Sequence, residues 1–140
     1  MAGTFLGDIP GARFNLGQPN ASVASNGAVG RLIEIGVAPH DCRVQAAWWT
    51  PTGADQGTAA SYRNVKLING GTAGTGTTVV ASLALSASAA SLTPRAMTTV
   101  SSATIPAGAM IYASQDTVGG TDATGTVLRA GRFDLSYEVI

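Results

Sequence analysis

The segment R-F-D-L-S-Y-E-V, Arg132 to Val139, alternates apolar and polar side chains without a break. A period of two places Phe133, Leu135, Tyr137 and Val139 on one face and Arg132, Asp134, Ser136 and Glu138 on the other, the pattern of a half-buried strand. Shorter runs of the same kind recur from Arg31 onward, separated by turn residues. R-L-I-E-I-G-V-A sets Ile33, Ile35 and Val37 on one face. R-V-Q-A-A-W-W-T sets Val44, Ala46 and Trp48 against Gln45, Ala47 and Trp49. S-Y-R-N-V-K-L-I-N sets Arg63, Val65 and Leu67 against Tyr62, Asn64, Lys66 and Ile68, and T-T-V-V-A-S-L-A-L aligns Val79, Ala81, Leu83 and Leu85. Pro94, in S-L-T-P-R-A-M-T-T-V, requires an edge position or a bend. About eight such strands without an amphipathic helix predict an all-β fold, an antiparallel β-sandwich of jelly-roll-like form. Ala81 to Ala90, whose composition would also suit a helix, reads as strand followed by loop.

Residues 1–28 read differently. Gly, Pro, Asn, Ala and Ser interrupt every run, yet Phe5, Leu6, Ile9, Phe14 and Leu16 are too many apolar side chains for a plain linker. An extended N-terminal arm that docks these five residues on a neighbour fits both facts, leaving residues 29–140 as the β-sandwich domain. The 140-residue chain is long enough for a substantial core.

The glycine-rich stretch N-G-G-T-A-G-T-G-T-T, after the strand V-K-L-I, raises the question of a phosphate-binding loop. Gly71 and Gly76 have the spacing of G-x-x-x-x-G-K-[ST], but Thr77 stands where the lysine must be, and the chain's one lysine, Lys66, precedes the loop. The four β-branched residues that follow suit a strand better than a helix. The expectation is a hairpin loop with no nucleotide.

Catalytic chemistry finds little to use. One histidine, His40, lies in the turn P-H-D-C, and no G-x-S-x-G elbow accompanies it. Asp55, Asp116 and Asp122 fall in glycine-rich surroundings without a D-x-D-x-D run. The single cysteine, Cys42, excludes an internal disulfide and a cysteine zinc cluster. The expectation is no enzyme, no catalytic residues, no cofactor, no metal and no small-molecule substrate. Eight basic and eight acidic residues cancel, so no strong field favours nucleic acid or an anionic membrane. The start M-A-G-T-F-L-G-D-I-P lacks the basic region and apolar core of a secretory signal, which predicts synthesis in a cytosol. Charged residues make up only 11% of the chain against 45% hydrophobic ones. So little charge suggests a surface largely covered by partners.

Trp48 and Trp49 are adjacent, so on a regular strand they point to opposite faces. Parity with Val44 and Ala46 puts Trp48 in the core and Trp49 outside. Tryptophan is enriched at interface centres, so Trp49 reads as a subunit contact in preference to a sugar-stacking platform.

The segments Y-R-N-V-K-L-I-N-G-G-T-A-G-T-G-T-T-V-V-A-S-L-A-L, L-T-P-R-A-M-T-T-V and I-P-A-G-A-M-I-Y-A-S, Tyr62 to about Ser114, resemble the head decoration (cement) proteins of tailed bacteriophages. The likeness does not extend into residues 1–40. It implies a non-enzymatic virion structural protein: a jelly-roll-like subunit, commonly a homotrimer, that binds the major capsid protein on the outer capsid surface after synthesis in the host cytoplasm. The alternative is a receptor- or glycan-binding module of a phage fibre or tail, built on the loops of the same sandwich.

Overall fold

The computed structural model describes residues 13–20, 30–51, 62–87, 90, 92–100, 103–118 and 131–140. Among them the chain is all-β, with nine strands: β1 (Arg13–Asn20), β2 (Gly30–Val37), β3 (Cys42–Pro51), β4 (Tyr62–Asn69), β5 (Thr78–Ala84), β6 (Arg95–Thr99), β7 (Thr104–Ile105), β8 (Met110–Val118) and β9 (Gly131–Val139). Every pairing is antiparallel, and the strands run in the order β1-β9-β3-β6-β5-β4-β8-β2, with β7 beside β3.

Strand β6 divides this path into two layers. Its first residues pair with β3, Arg95 opposite Trp49 and Met97 opposite Ala47. Its last residues pair with β5, Thr98 opposite Ser82 and Thr99 opposite Ala81. Where β6 leaves β3, β7 takes over the same edge, with Ile105 opposite Cys42. One layer is therefore β1-β9-β3 and the other β5-β4-β8-β2, with β6 as the corner strand of the sandwich. Between them lies one core, in which Trp49, Phe133, Leu135 and Tyr137 from the first layer join Ile35, Val65, Leu67, Val80 and Ile111 from the second.

The closing strand keeps its expected parity: Phe133, Leu135, Tyr137 and Val139 are all buried. Strand β4 does likewise, with Arg63, Val65 and Leu67 inward. Three other strands do not, and each carries an irregularity of register. In β3, Val44 faces Tyr137 and Ala46 faces Ser136, so Gln45 is an extra residue. This bulge reverses the parity beyond it: Cys42 and Val44 are buried before it, Ala47 and Trp49 after it. In β5 the register passes from Ala81 opposite Leu67 to Val79 opposite Ile68, leaving Val80 over. Val80 and Ala81 are consequently both buried. In β2 Glu34 faces Tyr112 and Gly36 faces Ile111. Ile35 is buried there, whereas Val37, expected on the same face, is 51% exposed.

The expected arm needs correction at its C-terminal part. Arg13–Asn20 is β1, paired with β9 along its whole length, with Phe14 opposite Tyr137 and Leu16 opposite Leu135. The pairing is backbone to backbone and therefore requires no alternation of side chains. Among the described residues β1 pairs with β9 alone, an edge position of the kind where proline is tolerated, which accommodates Pro19.

Candidate functional site

Of the residues expected to make contacts with partners, Phe5, Leu6 and Ile9 lie outside the described residues, and Phe14 and Leu16 lie on β1. Trp49 is a correction. It is fully buried, and its ring centroid lies 4.5 Å from that of Phe133. The bulge at Gln45 exchanges the two tryptophans, so Trp48 is the one that reaches the surface.

Trp48 sits on the outer face of the first layer. Its register partner across the strand pair is Asp134, and Thr50 is opposite Arg132. Arg132 Nε donates to Asp134 Oδ1 at 2.7 Å. These four residues and Pro94 line an open groove of about 430 Å³. The alternation of β9 predicts Arg132 and Asp134 outward, as they are. Their convergence on a tryptophan was hidden, because it depends on the register between β3 and β9 and on the bulge.

A second candidate surface is one end of the sandwich, where three loops and the last residue meet. The β2–β3 turn holds the β7–β8 turn through Ala38 N to Ala109 O at 2.9 Å and Gly108 N to Ala38 O at 2.8 Å. Asp41 adds two contacts: its Oδ1 accepts from Ala107 N at 2.7 Å, and its carbonyl accepts from Ile140 N at 3.0 Å. The glycine loop joins through Gly70 N to Met110 O at 2.8 Å and Met110 N to Gly71 O at 3.0 Å. Asn69 Nδ2 reaches Thr104 O at 3.3 Å. Two aliphatic side chains stand out from this laced end, Val37 at 51% and Ile140 at 48% exposure. A cavity of about 590 Å³ opens there between Asp41, Thr104, Ile105, Pro106 and Ile140.

The glycine loop uses its amides within the protein. Gly70 donates to Met110 O, Gly74 to Gly71 O, Gly76 to Gly70 O, and Gly71 to the Asn69 side chain. A phosphate cradle needs such N–H groups pointed at the ligand; here these four are turned inward and close the β4–β5 hairpin. Tyr112 pins the loop from the neighbouring strand, its hydroxyl donating to Gly76 O at 2.8 Å. On that same outer face, the lone lysine, Lys66, is ion-paired with Asp116.

Cys42 is fully buried in the core. Burial pushes its thiol up to about 11, with the charge of Asp41 adding to the effect. Tyr137 is raised in the same direction, first by burial and then by Cys42. Such a thiol is a packing group, since nucleophilic cysteines need a lowered pKa. Among the described residues, no group of three or more His, Cys, Asp or Glu side chains is placed to hold a metal ion. Comparison with known protein families, curated proteins and solved structures finds no match to this chain.

Proposed function

We propose that the chain is a non-enzymatic virion structural protein, a head decoration protein that binds the major capsid protein on the outer surface of a phage capsid as a homotrimer. The observation that carries this reading is the laced end of the sandwich. Its loops are tied to one another by backbone hydrogen bonds. The side chain of Asp41 is occupied by Ala107 N, and two aliphatic side chains project. A preorganised, charge-poor platform of this kind suits rigid-body docking on another protein, because little conformational entropy remains to be lost on binding.

Two further features support the reading. The strands pair as a nested hairpin, β4 with β5, β3 with β6, β2 with β8 and β1 with β9. Leaving out the short β7, this nesting is in keeping with the winding of a jelly roll, an architecture common in viral shells. The segment that resembles decoration proteins, Tyr62 to about Ser114, comprises the tip of that hairpin together with β6, β7 and most of β8.

The test is co-sedimentation with expanded, undecorated capsids of the cognate phage. Saturable binding is expected, and Val37→Asp should weaken it while leaving the thermal melt of the free protein unchanged. Failure of the wild-type chain to bind capsids would reject the proposal.

A further inference from the structure

We propose that the groove on the outer face of the first layer, formed by Trp48, Thr50, Pro94, Arg132 and Asp134, is a saccharide site that takes the ring of a neutral hexopyranose. The register of β3 and β9 builds it. Trp48 and Asp134 are direct cross-strand partners, and Thr50 and Arg132 are the next pair on the same face. An apolar ring, a hydroxyl, a carboxylate and a guanidinium therefore meet within two residue steps on rigid strands. The volume of about 430 Å³ lies within the range of small-molecule sites, roughly 300–1,000 Å³.

The chemistry selects the ligand class. An indole face is electron-rich and accepts the polarised C–H groups on one side of a pyranose ring. The hydroxyls at the rim of that ring both donate and accept. Asp134 uses Oδ1 to accept from Arg132 Nε, which leaves Oδ2 to accept from one hydroxyl and the Arg132 Nη groups to donate to its neighbour. The contact between the two side chains holds both in place beforehand, with Asp134 at 26% and Arg132 at 59% side-chain exposure. Because the two charges cancel locally, a phosphate, sulfate or carboxylate gains no net field here. Nucleic acid is disfavoured for the same reason, since it needs uncompensated cations beside the stacking ring. Pro94 contributes an apolar wall without an N–H donor. A neutral diol with one apolar face suits the indole, the carboxylate and the guanidinium that line the groove.

This inference does not depend on where the subunit sits on a particle, and free protein in solution tests it apart from capsid binding. The full chain is titrated with the methyl glycosides of glucose, galactose, mannose and N-acetylglucosamine and with their disaccharides. Binding is followed by tryptophan fluorescence and by chemical-shift changes. Saturable binding to at least one sugar is expected, with a dissociation constant of about 1 mM. Trp48→Ala and, separately, Asp134→Asn should each weaken it about tenfold or more, with unchanged far-UV circular dichroism. Asp134→Asn keeps the side chain's size, so it tests the site even if Trp48→Ala disturbs the strand. No saturation with any of these sugars overturns the proposal, and so does binding that both variants retain. Sedimentation equilibrium provides the competing outcome: self-association abolished by Trp48→Ala, with no sugar bound, would make the groove a contact between copies of this chain.

Discussion

Trp49 and Phe133 are register partners on β3 and β9, and their rings meet in the core with centroids 4.5 Å apart and planes tilted by 41°. Both side chains are fully buried. Trp49→Ala removes the larger ring and leaves a cavity against Phe133, and is expected to cost about 3–5 kcal/mol. Trp48→Ala, one residue earlier and half-buried on the outer face, should cost less, about 1–2 kcal/mol. Urea unfolding of the two variants checks this; equal losses would contradict the assignment of faces.

How much of this was legible can be judged from the same pair. Phe133 was placed correctly because β9 alternates without interruption and nothing in its pairing disturbs the period. Trp49 was misplaced because the extra residue, Gln45, has no signature of its own: Val44, Gln45, Ala46 and Ala47 fit a regular strand equally well. Val80 and Val37 were missed for the same reason. The class of fold survives such errors, since it rests on the existence of short alternating runs and not on any one parity. The sites do not survive them. The Trp48 groove draws residues from β3 and β9 that are more than eighty positions apart, and only the register brings them together. Strand β1 was read as arm because an edge strand held by backbone bonds can carry Gly17 and Pro19 and show no period.

Gly76 tests the hairpin at the tip of the nested strands. A Cβ built there would stand 2.8 Å from Asn69 O and 2.9 Å from Gly70 C, both backbone atoms that cannot swing aside. Gly76→Ala should destabilise the protein by about 1–3 kcal/mol through overpacking. Gly71 has open space around it but a left-handed backbone with φ of 67°. Gly71→Asn should therefore be milder than Gly71→Val, because asparagine visits that region and β-branched residues do not. Thermal melts of the three variants give the order directly.

Tyr112 ties the outer face of β8 to this hairpin. Tyr112→Phe deletes only the hydroxyl that donates to Gly76 O at 2.8 Å, at an expected cost of about 0.5–1.5 kcal/mol. In combination with Gly76→Ala the loss should be smaller than the sum of the two, since Gly76→Ala already displaces the acceptor. A double-mutant cycle in urea measures the difference, and strict additivity would show that the hydroxyl and the loop act independently.

Cys42 imposes an alkaline limit. Its thiol titrates near 9.0 without the fold's influence and is pushed up to about 11 in the folded chain. Above pH 9 the unfolded state loses this proton first, so it binds fewer protons than the folded state and stability falls as pH rises. The contribution is complete below about pH 9 and is lost by the time pH passes about 11. Tyr137, raised in the same direction, extends the decline. The urea midpoint should be level from pH 7 to 8.5 and fall between 9 and 11, with a shallower slope in Cys42→Ala. An unchanged slope in that variant would remove Cys42 as the cause. The native thiol should also resist aromatic disulfide reagents at pH 8 and react on unfolding.

The bulge in β3 yields the most specific expectation. Gln45 is the residue without a partner on β9: Val44 faces Tyr137 and Ala46 faces Ser136. Deleting Gln45 leaves a strand in which Val44, Ala47 and Trp49 alternate inward with no further shift, so every buried side chain of β3 keeps its face. What is lost is the bond from Gln45 Nε2 to Glu138 Oε2 at 2.6 Å, worth about 1.5–3 kcal/mol for a charged acceptor and less at a partly exposed site. Deleting Trp48 in addition has the opposite effect, because no bulge is left to absorb the change. The second residue removed points to the outer face, yet its loss turns Trp49 outward and breaks its contact with Phe133, since a one-residue slip exchanges the faces of a strand. The Gln45 deletion should therefore fold, with a modest fall in melting temperature and the fluorescence of a buried tryptophan. The double deletion should lose about 3–5 kcal/mol more, the cost of emptying the Trp49 site, and shift the emission of Trp49 to the red, whereas Trp48→Ala leaves Trp49 in place. If the single and the double deletion unfold alike, the bulge is required for the bend of β3 and does not merely set the faces of the two tryptophans.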